Sequence, residues 1–160
     1  MSLDIITAPL LGEVRHGFFG RAGGASSGVF AGLNCGQGST DQAEAVTINR
    51  ARAAETMGVQ PSHLLGLHQV HSAEALVVTG PLVPRPRADG MATATKGVAL
   101  SILTADCQPV LLADAEAGVI GAAHAGWRGT VAGVIEATLA AMVSLGAEAS
   151  RVRASIGRTA

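Results

Sequence analysis

The stretch VALSILTADCQPVLLADAEAGVIGAAHA, residues 98–125, runs directly into GWRGTVAGVIEATLAAMVSLG, residues 126–146, and its reading decides the fold. VALSIL (98–103), PVLLA (109–113) and GVIGAAHA (118–125) are apolar runs of strand length, too continuous for half-exposed strands, and they read as buried strands of a sheet. A turn at residues 114–117 joins the last two. Val131, Val134, Ile135, Thr138, Leu139 and Met142 then return at three- and four-residue steps, which predicts one long helix over 127–145, ended by Gly146. RVRASI (151–156) reads as a further strand. Strands alternating with helices make this an α/β chain.

Upstream, LLGLH (64–68) and EALVV (74–78) are strand candidates, and VRHGFFG (14–20) is another. PLVPRPR (81–87) is an exposed connection, because prolines remove the donors a sheet ladder needs. A helix is predicted from Asp41. Asp41 is placed to cap it, Glu44 follows three residues later as in a capping box, and Val46, Ala53 and Met57 form its apolar face before Gly58. RAGGASSG (21–28) is a glycine-rich loop.

At 160 residues the length suits a single domain over 1–160. Apolar residues make up 48% and charged residues 14%, a composition that folds rather than stays disordered. Eleven Lys and Arg balance twelve Asp and Glu, and no basic run interleaved with aromatics occurs, which argues against a nucleic-acid partner. No stretch reaches the roughly 18 apolar residues of a membrane span, and the start lacks the pattern of a secretory leader, so the chain reads as cytoplasmic. In a reducing compartment Cys35 and Cys107 are two free thiols rather than a disulfide.

Chemistry-bearing side chains collect at the ends of the apolar strands: His68 and His71, Asp106 and Cys107, and His124. Strand ends are where sites are built in α/β folds. One Cys and two His from separate strands suit an open zinc site with a position left for water or ligand. A lone Cys after a strand is more often a small buried hydrophobe. The residues alone leave open whether these groups share one site. HAGWRG adds an anion-binding pattern, with Gly126 and Gly129 allowing close approach, a helix start behind them and the planar cation of Arg128; equally, the glycines could serve packing and Arg128 face solvent.

HGFFGRAGGASSGVFAGLN (16–34), LHQVHS (67–72), ADGMAT (88–93), LTADCQPVLL (103–112) and AAHAGWRGTVAGV (122–134), in this order, resemble the YfiH family, also called the multicopper polyphenol oxidase or laccase-domain family. The resemblance implies a layered α/β sandwich with a mixed sheet, of the type shared with necrotizing-toxin deamidases. It also implies one zinc ion, rather than copper, held by His71, Cys107 and His124. The implied reactions are phosphorolysis of adenosine, inosine, guanosine or methylthioadenosine, and adenosine deamination, so the expected partners are a purine nucleoside and phosphate. For deamination, zinc would lower the pKa of water from about 16 toward about 7, with Asp106 or Asp89 moving the proton. Arg128 or Arg21 would meet phosphate, and Asn34 and Asp89 belong with them to the expected substrate contacts.

Three alternatives stand beside this reading. Cys107 as nucleophile with His124 as base would make a metal-free cysteine hydrolase or deamidase. Some relatives are described as peptidoglycan editing factors. Family members also continue beyond the strand matching RVRASIG, whereas this chain reads IGRTA and ends, so the C-terminal portion is expected to be missing and the product to be an inactive zinc-binding remnant in the limiting case. That truncation predicts an unpaired strand edge with self-association through the exposed face, or disorder near 151–160. His16 and His68 are expected as the nearest neighbours of the metal ligands, with Cys35 and His63 farther away.

Overall fold

The computed structural model describes residues 2–158. Its centre is a five-stranded mixed sheet of order β4-β5-β8-β7-β9, made of β4 (Ala75–Val77), β5 (Gly90–Thr93), β8 (Val119–Ala125), β7 (Gln108–Asp114) and β9 (Arg153–Ile156). β4 and β5 run parallel, and every other pairing is antiparallel. β7 and β8 are the long hairpin that the apolar runs predict. They pair from Gln108 opposite Ala125 to Asp114 opposite Val119, and the Asp114 side chain accepts the Ala117 N–H to close the turn. β5, the GMAT segment, was not anticipated as a strand, although all four of its residues are buried and it lies between β4 and β8.

VALSIL departs from expectation. Only β6 (Ala99–Ser101) is a strand, and it pairs in parallel with β3 (Leu64–Gly66) in a separate two-stranded sheet. Ala99 is buried while Val98, Leu100, Ser101, Ile102 and Leu103 are half-buried, because the run covers the flank of the main sheet instead of its middle. In the VRHGFFG segment only β2 (Phe18–Phe19) forms, antiparallel to β1 (Ile5–Ile6).

The helix expected over 127–145 is two helices, α2 (Trp127–Ala132) and α3 (Val134–Ser144), separated by Gly133 at φ 100°. That left-handed residue reorients the chain. Val134, Thr138 and Met142 of α3 are buried against the sheet, whereas Val131 of α2 is 84% exposed. The core between α3 and the sheet contains Ala92, Val110, Leu112, Val119, Ala123, Val134, Met142 and Ala147. A second cluster of Leu65, Leu67, Val78, Ala88 and Met91 fills the junction with the smaller sheet.

Helix α1 (Ala43–Thr56) lies where predicted but begins differently. Its N-cap is Gln42, without a capping side chain, because Asp41 Oδ2 instead accepts from Ser26 Oγ and Asn34 Nδ2. The buried face includes Asn49, whose amide accepts from Ala25 N–H and donates to Ser26 Oγ and to the carbonyls of Gly32 and Asn34. Arg52 donates to the Gly23 carbonyl. Asn49 and Arg52 thereby hold the glycine-rich loop in place, while Arg50 between them donates to the Leu64 carbonyl.

At the far edge, the RVRASI run forms β9 as predicted, with four register pairs to β7; the expectation of disorder near 151–160 is not tested by this pairing. Thr159 and Ala160 of that expectation lie outside the described residues. The outer edge of β9 has no strand beside it among the described residues, and Ile156 is 59% exposed.

Candidate metal centre

Three loops meet at one end of the sheet. His71 follows the smaller sheet in the segment before β4, Cys107 immediately precedes β7, and His124 is the penultimate residue of β8. β7 pairs antiparallel with β8, so Pro109, two residues after Cys107, lies opposite His124. Gln69 then ties the remaining loop to this pair: its amide donates to the Leu103 carbonyl at 2.7 Å and accepts the Leu103 N–H at 2.8 Å. Gln69 was not among the expected site residues. Its place in HQVH, beside an apolar strand, was the available signal.

The ligand atoms of His71, Cys107 and His124 all lie within 4.8 Å of one another. The two imidazoles meet edge to face, with centroids 4.8 Å apart and an interplanar angle of 74°. His124 is buried, Cys107 half-buried and His71 exposed, so the group opens to solvent on the His71 side. Among the described residues this is the one group of three such side chains near enough to share an ion.

The set fits a small thiophilic cation. Thiolate and imidazole are zinc donors, and ligands around a tetrahedral zinc lie roughly 3.3–3.8 Å apart, so the three side chains need to close by only about 1 Å. Room for that closure comes from Gly126. A Cβ at this position would stand 2.8 Å from His71 Nδ1 and 3.0 Å from Cys107 Sγ. Its backbone, at φ −74° and ψ 165°, is open to any residue, so the close approach, not the conformation, is what calls for glycine.

Beneath the triad lies Asp89, 0% exposed. Its Oδ2 accepts from His124 Nδ1 at 2.7 Å and from the His71 backbone N–H at 3.0 Å. Its Oδ1 accepts the N–H groups of Val70 (3.0 Å) and Ser72 (2.8 Å) and the Ser72 hydroxyl (2.8 Å). Burial pushes this carboxyl up, but the hydrogen bonds from His124, Ser72 and Val70 together outweigh it and bring the pKa down to about 2. Asp89 is therefore an anion at neutral pH and only accepts, which makes His124 Nδ1–H the donor of this bond and turns Nε2 away from the carboxylate. His71 itself has φ 60°, a conformation that costs a non-glycine residue about 1–2 kcal/mol.

The other expected residues are spread around this point. Asp106, beside Cys107, is exposed. Arg128 is exposed on α2, its guanidinium 5.2 Å from the ring centroid of Trp127, which is itself 74% exposed. Arg21 is exposed in the glycine-rich loop, and the Asn34 amide is engaged with Ser39 and Asp41 in the segment that leads to α1. The His16 ring bonds the Val14 carbonyl and the Ala8 N–H. His68 is exposed, and its backbone bridges to Arg87. Cys35 stands apart from the triad, its thiol pushed up by burial against the opposing pull of Arg50.

A family model described as multi-copper polyphenol oxidoreductase laccase matches residues 15–159. A protein of Streptomyces griseus named purine nucleoside phosphorylase is 47% identical over 154 residues, covering 94% of this chain and 63% of its own length. One of the same name from Deinococcus radiodurans is 46% identical, covering 97% of this chain and 60% of its own length. Among solved structures, a Neisseria meningitidis protein of the DUF152 family superposes with a TM-score of 0.87 at 33% identity, covering 98% of this chain and 62% of its own. YlmD of Geobacillus stearothermophilus gives 0.86 at 31% identity, with 95% and 60% covered. The chain thus spans about six-tenths of the length of the relatives it matches. The mixed α/β architecture is theirs, and the chain belongs to the family of multi-copper polyphenol oxidoreductase laccases, the YfiH or DUF152 proteins.

Proposed function

We propose that this chain provides the metal-binding portion of a purine nucleoside phosphorylase, with one zinc ion held by His71, Cys107 and His124. The observation that carries this reading is the convergence of those three side chains within 4.8 Å at an open sheet end, in a chain whose relatives at 46 and 47% identity are named for that activity. The chemistry that a bound zinc ion supplies is polarisation of a substrate oxygen and a lowered pKa for water. Phosphorolysis joins a phosphate oxygen to the ribose C1′ as the bond from C1′ to the purine nitrogen breaks, and the departing purine takes up a proton.

In this reading Arg128, one residue beyond the start of α2, draws phosphate toward the triad by charge, and Arg21 is the second candidate for that role. Asp106, exposed beside Cys107, is the group in reach of solvent that can pass a proton to the leaving base. Asn34 braces the segment before α1 through its bonds to Ser39 and Asp41, and Asp41 in turn accepts from Ser26 of the glycine-rich loop. Adenosine deamination is a second reaction of the same centre. The test is incubation of purified protein with adenosine, with and without phosphate, and chromatographic separation of adenine, inosine and hypoxanthine. Phosphate-dependent adenine supports phosphorolysis, phosphate-independent inosine supports deamination, and neither product refutes both for this chain.

One observation favours a second reading. Asp89, His124 and Cys107 form a carboxylate–imidazole–thiol series in which Asp89 orients the ring through Nδ1, the arrangement of a cysteine nucleophile with its base. His71 is what this reading leaves without a task. Metal-free protein rapidly inactivated by iodoacetamide supports the nucleophile; stoichiometric zinc supports the metal centre.

A further inference from the structure

We infer that Asp89 is the positioning residue of this centre, one buried carboxylate that fixes His124 by its ring and His71 by its backbone, so that the ligand set stands assembled before an ion arrives. The inference deepens the zinc reading and rests on it for its effect on metal affinity; the positioning itself concerns the protein alone.

The assignment follows from where the donors come from. Five hydrogen bonds reach Asp89, more than the roughly four lone-pair sites of a carboxylate hold singly. Three of them are the consecutive N–H groups of Val70, His71 and Ser72, so the turn is wrapped around the anion. His71 adopts φ 60° at the centre of that turn. The three converging donors offset the strain, and they aim the His71 side chain at the end of β8. His124 reaches the same oxygen from the other side, and its backbone N–H donates to the Asp89 carbonyl at 2.7 Å, which anchors the start of β5 to β8 at this point. At 0% exposure with both oxygens occupied, the carboxylate has no lone pair turned to solvent or substrate. Its task is to hold, and moving a substrate proton falls to another group. Ligand histidines in metal sites commonly lean on such a carboxylate, and losing it typically weakens metal binding 10–100-fold; here the one carboxylate serves two ligands.

Two measurements test this. In the unaltered, metal-free protein, long-range proton–nitrogen NMR of the imidazoles near neutral pH should show His124 as the Nδ1–H tautomer. An Nε2–H tautomer, or an equal mixture, would overturn the inference without reference to any metal. Second, zinc affinity by chelator competition should fall about 10–100-fold in Asp89→Asn and by a smaller factor in Ser72→Ala, which removes one donor of the five. Parental affinity in both variants overturns it, as expected of a residue that only carries protons. Should Asp89→Asn fail to fold, Ser72→Ala and the tautomer still decide. Should the parent bind no zinc at all, the metal reading fails while the tautomer still judges the positioning.

Discussion

Replacing Gly126 with Ala should weaken zinc binding while leaving the fold in place. The added Cβ would lie 2.8 Å from His71 Nδ1 and 3.0 Å from Cys107 Sγ, against ordinary contacts of 3.4 Å or more, so both ligand side chains must retreat by several tenths of an ångström. They need to move the other way, inward by about 1 Å, to reach zinc, and metal sites tolerate only about 0.2 Å in ligand distance. Two of three ligands pushed off position predict an affinity loss on the order of 100-fold, comparable to losing a supporting hydrogen-bond partner. The backbone at φ −74° accepts alanine, and the cost to the α2 N-terminus is at most about 1 kcal/mol. Chelator competition gives the affinity, and thermal unfolding with excess EDTA gives the stability of the metal-free fold. Parental zinc affinity in a folded Gly126→Ala protein would refute the account of how these ligands close.

Asn49→Ala should cost about 1–3 kcal/mol in urea unfolding, because it leaves the Ala25 N–H and the Asn34 carbonyl without their partner in a part-buried loop, while the Gly32 carbonyl keeps the Ser26 N–H; no measurable loss would show that the loop is held by other means. Gly133→Ala should cost about 1–2 kcal/mol through its φ of 100°, read as a lower melting temperature with zinc affinity unchanged. Acid should unfold the protein in a defined window. Asp89, held at about 2, and Asp114, held well below the usual carboxylate range chiefly by the Arg151 guanidinium, have depressed folded-state pKa values. The stability they contribute is present above about pH 4 and lost as pH falls through about 2. Asp114→Asn should flatten that dependence in circular dichroism at fixed urea, and an unchanged slope would count against the ion pair.

The hairpin of β7 and β8 was legible because both strands are continuous apolar runs around an obvious turn. β5 was not: Gly90, Met91, Ala92 and Thr93 carry no alternation, and their burial comes from β4 and β8, neighbours distant in sequence. The break at Gly133 was hidden because the apolar steps at 131, 134, 135 and 138 run through it without a gap; only the left-handed backbone reveals that Val131 leaves the core. Asp41 has the spacing of a cap, yet Ser26 and Asn34 compete successfully for its carboxylate. The proposed ligands His71, Cys107 and His124 were legible as polar groups at strand ends in the motifs that carry the family resemblance, and the structure brings them within 4.8 Å of one another. The contacts that orient them were not, because Asp89 joins His124 across 35 residues and Gln69 joins Leu103 across 34, pairings that local pattern does not register.

The central claim is that His71, Cys107 and His124 share one zinc ion. X-ray absorption at the zinc edge, on protein purified without added metal and quantified for zinc per chain, tests it most directly. One zinc per chain is expected, with one sulfur at about 2.3 Å and two imidazole nitrogens at about 2.0–2.1 Å, and loss of the sulfur shell in Cys107→Ser. Zinc-free protein, or zinc with no sulfur in its first shell, would contradict it.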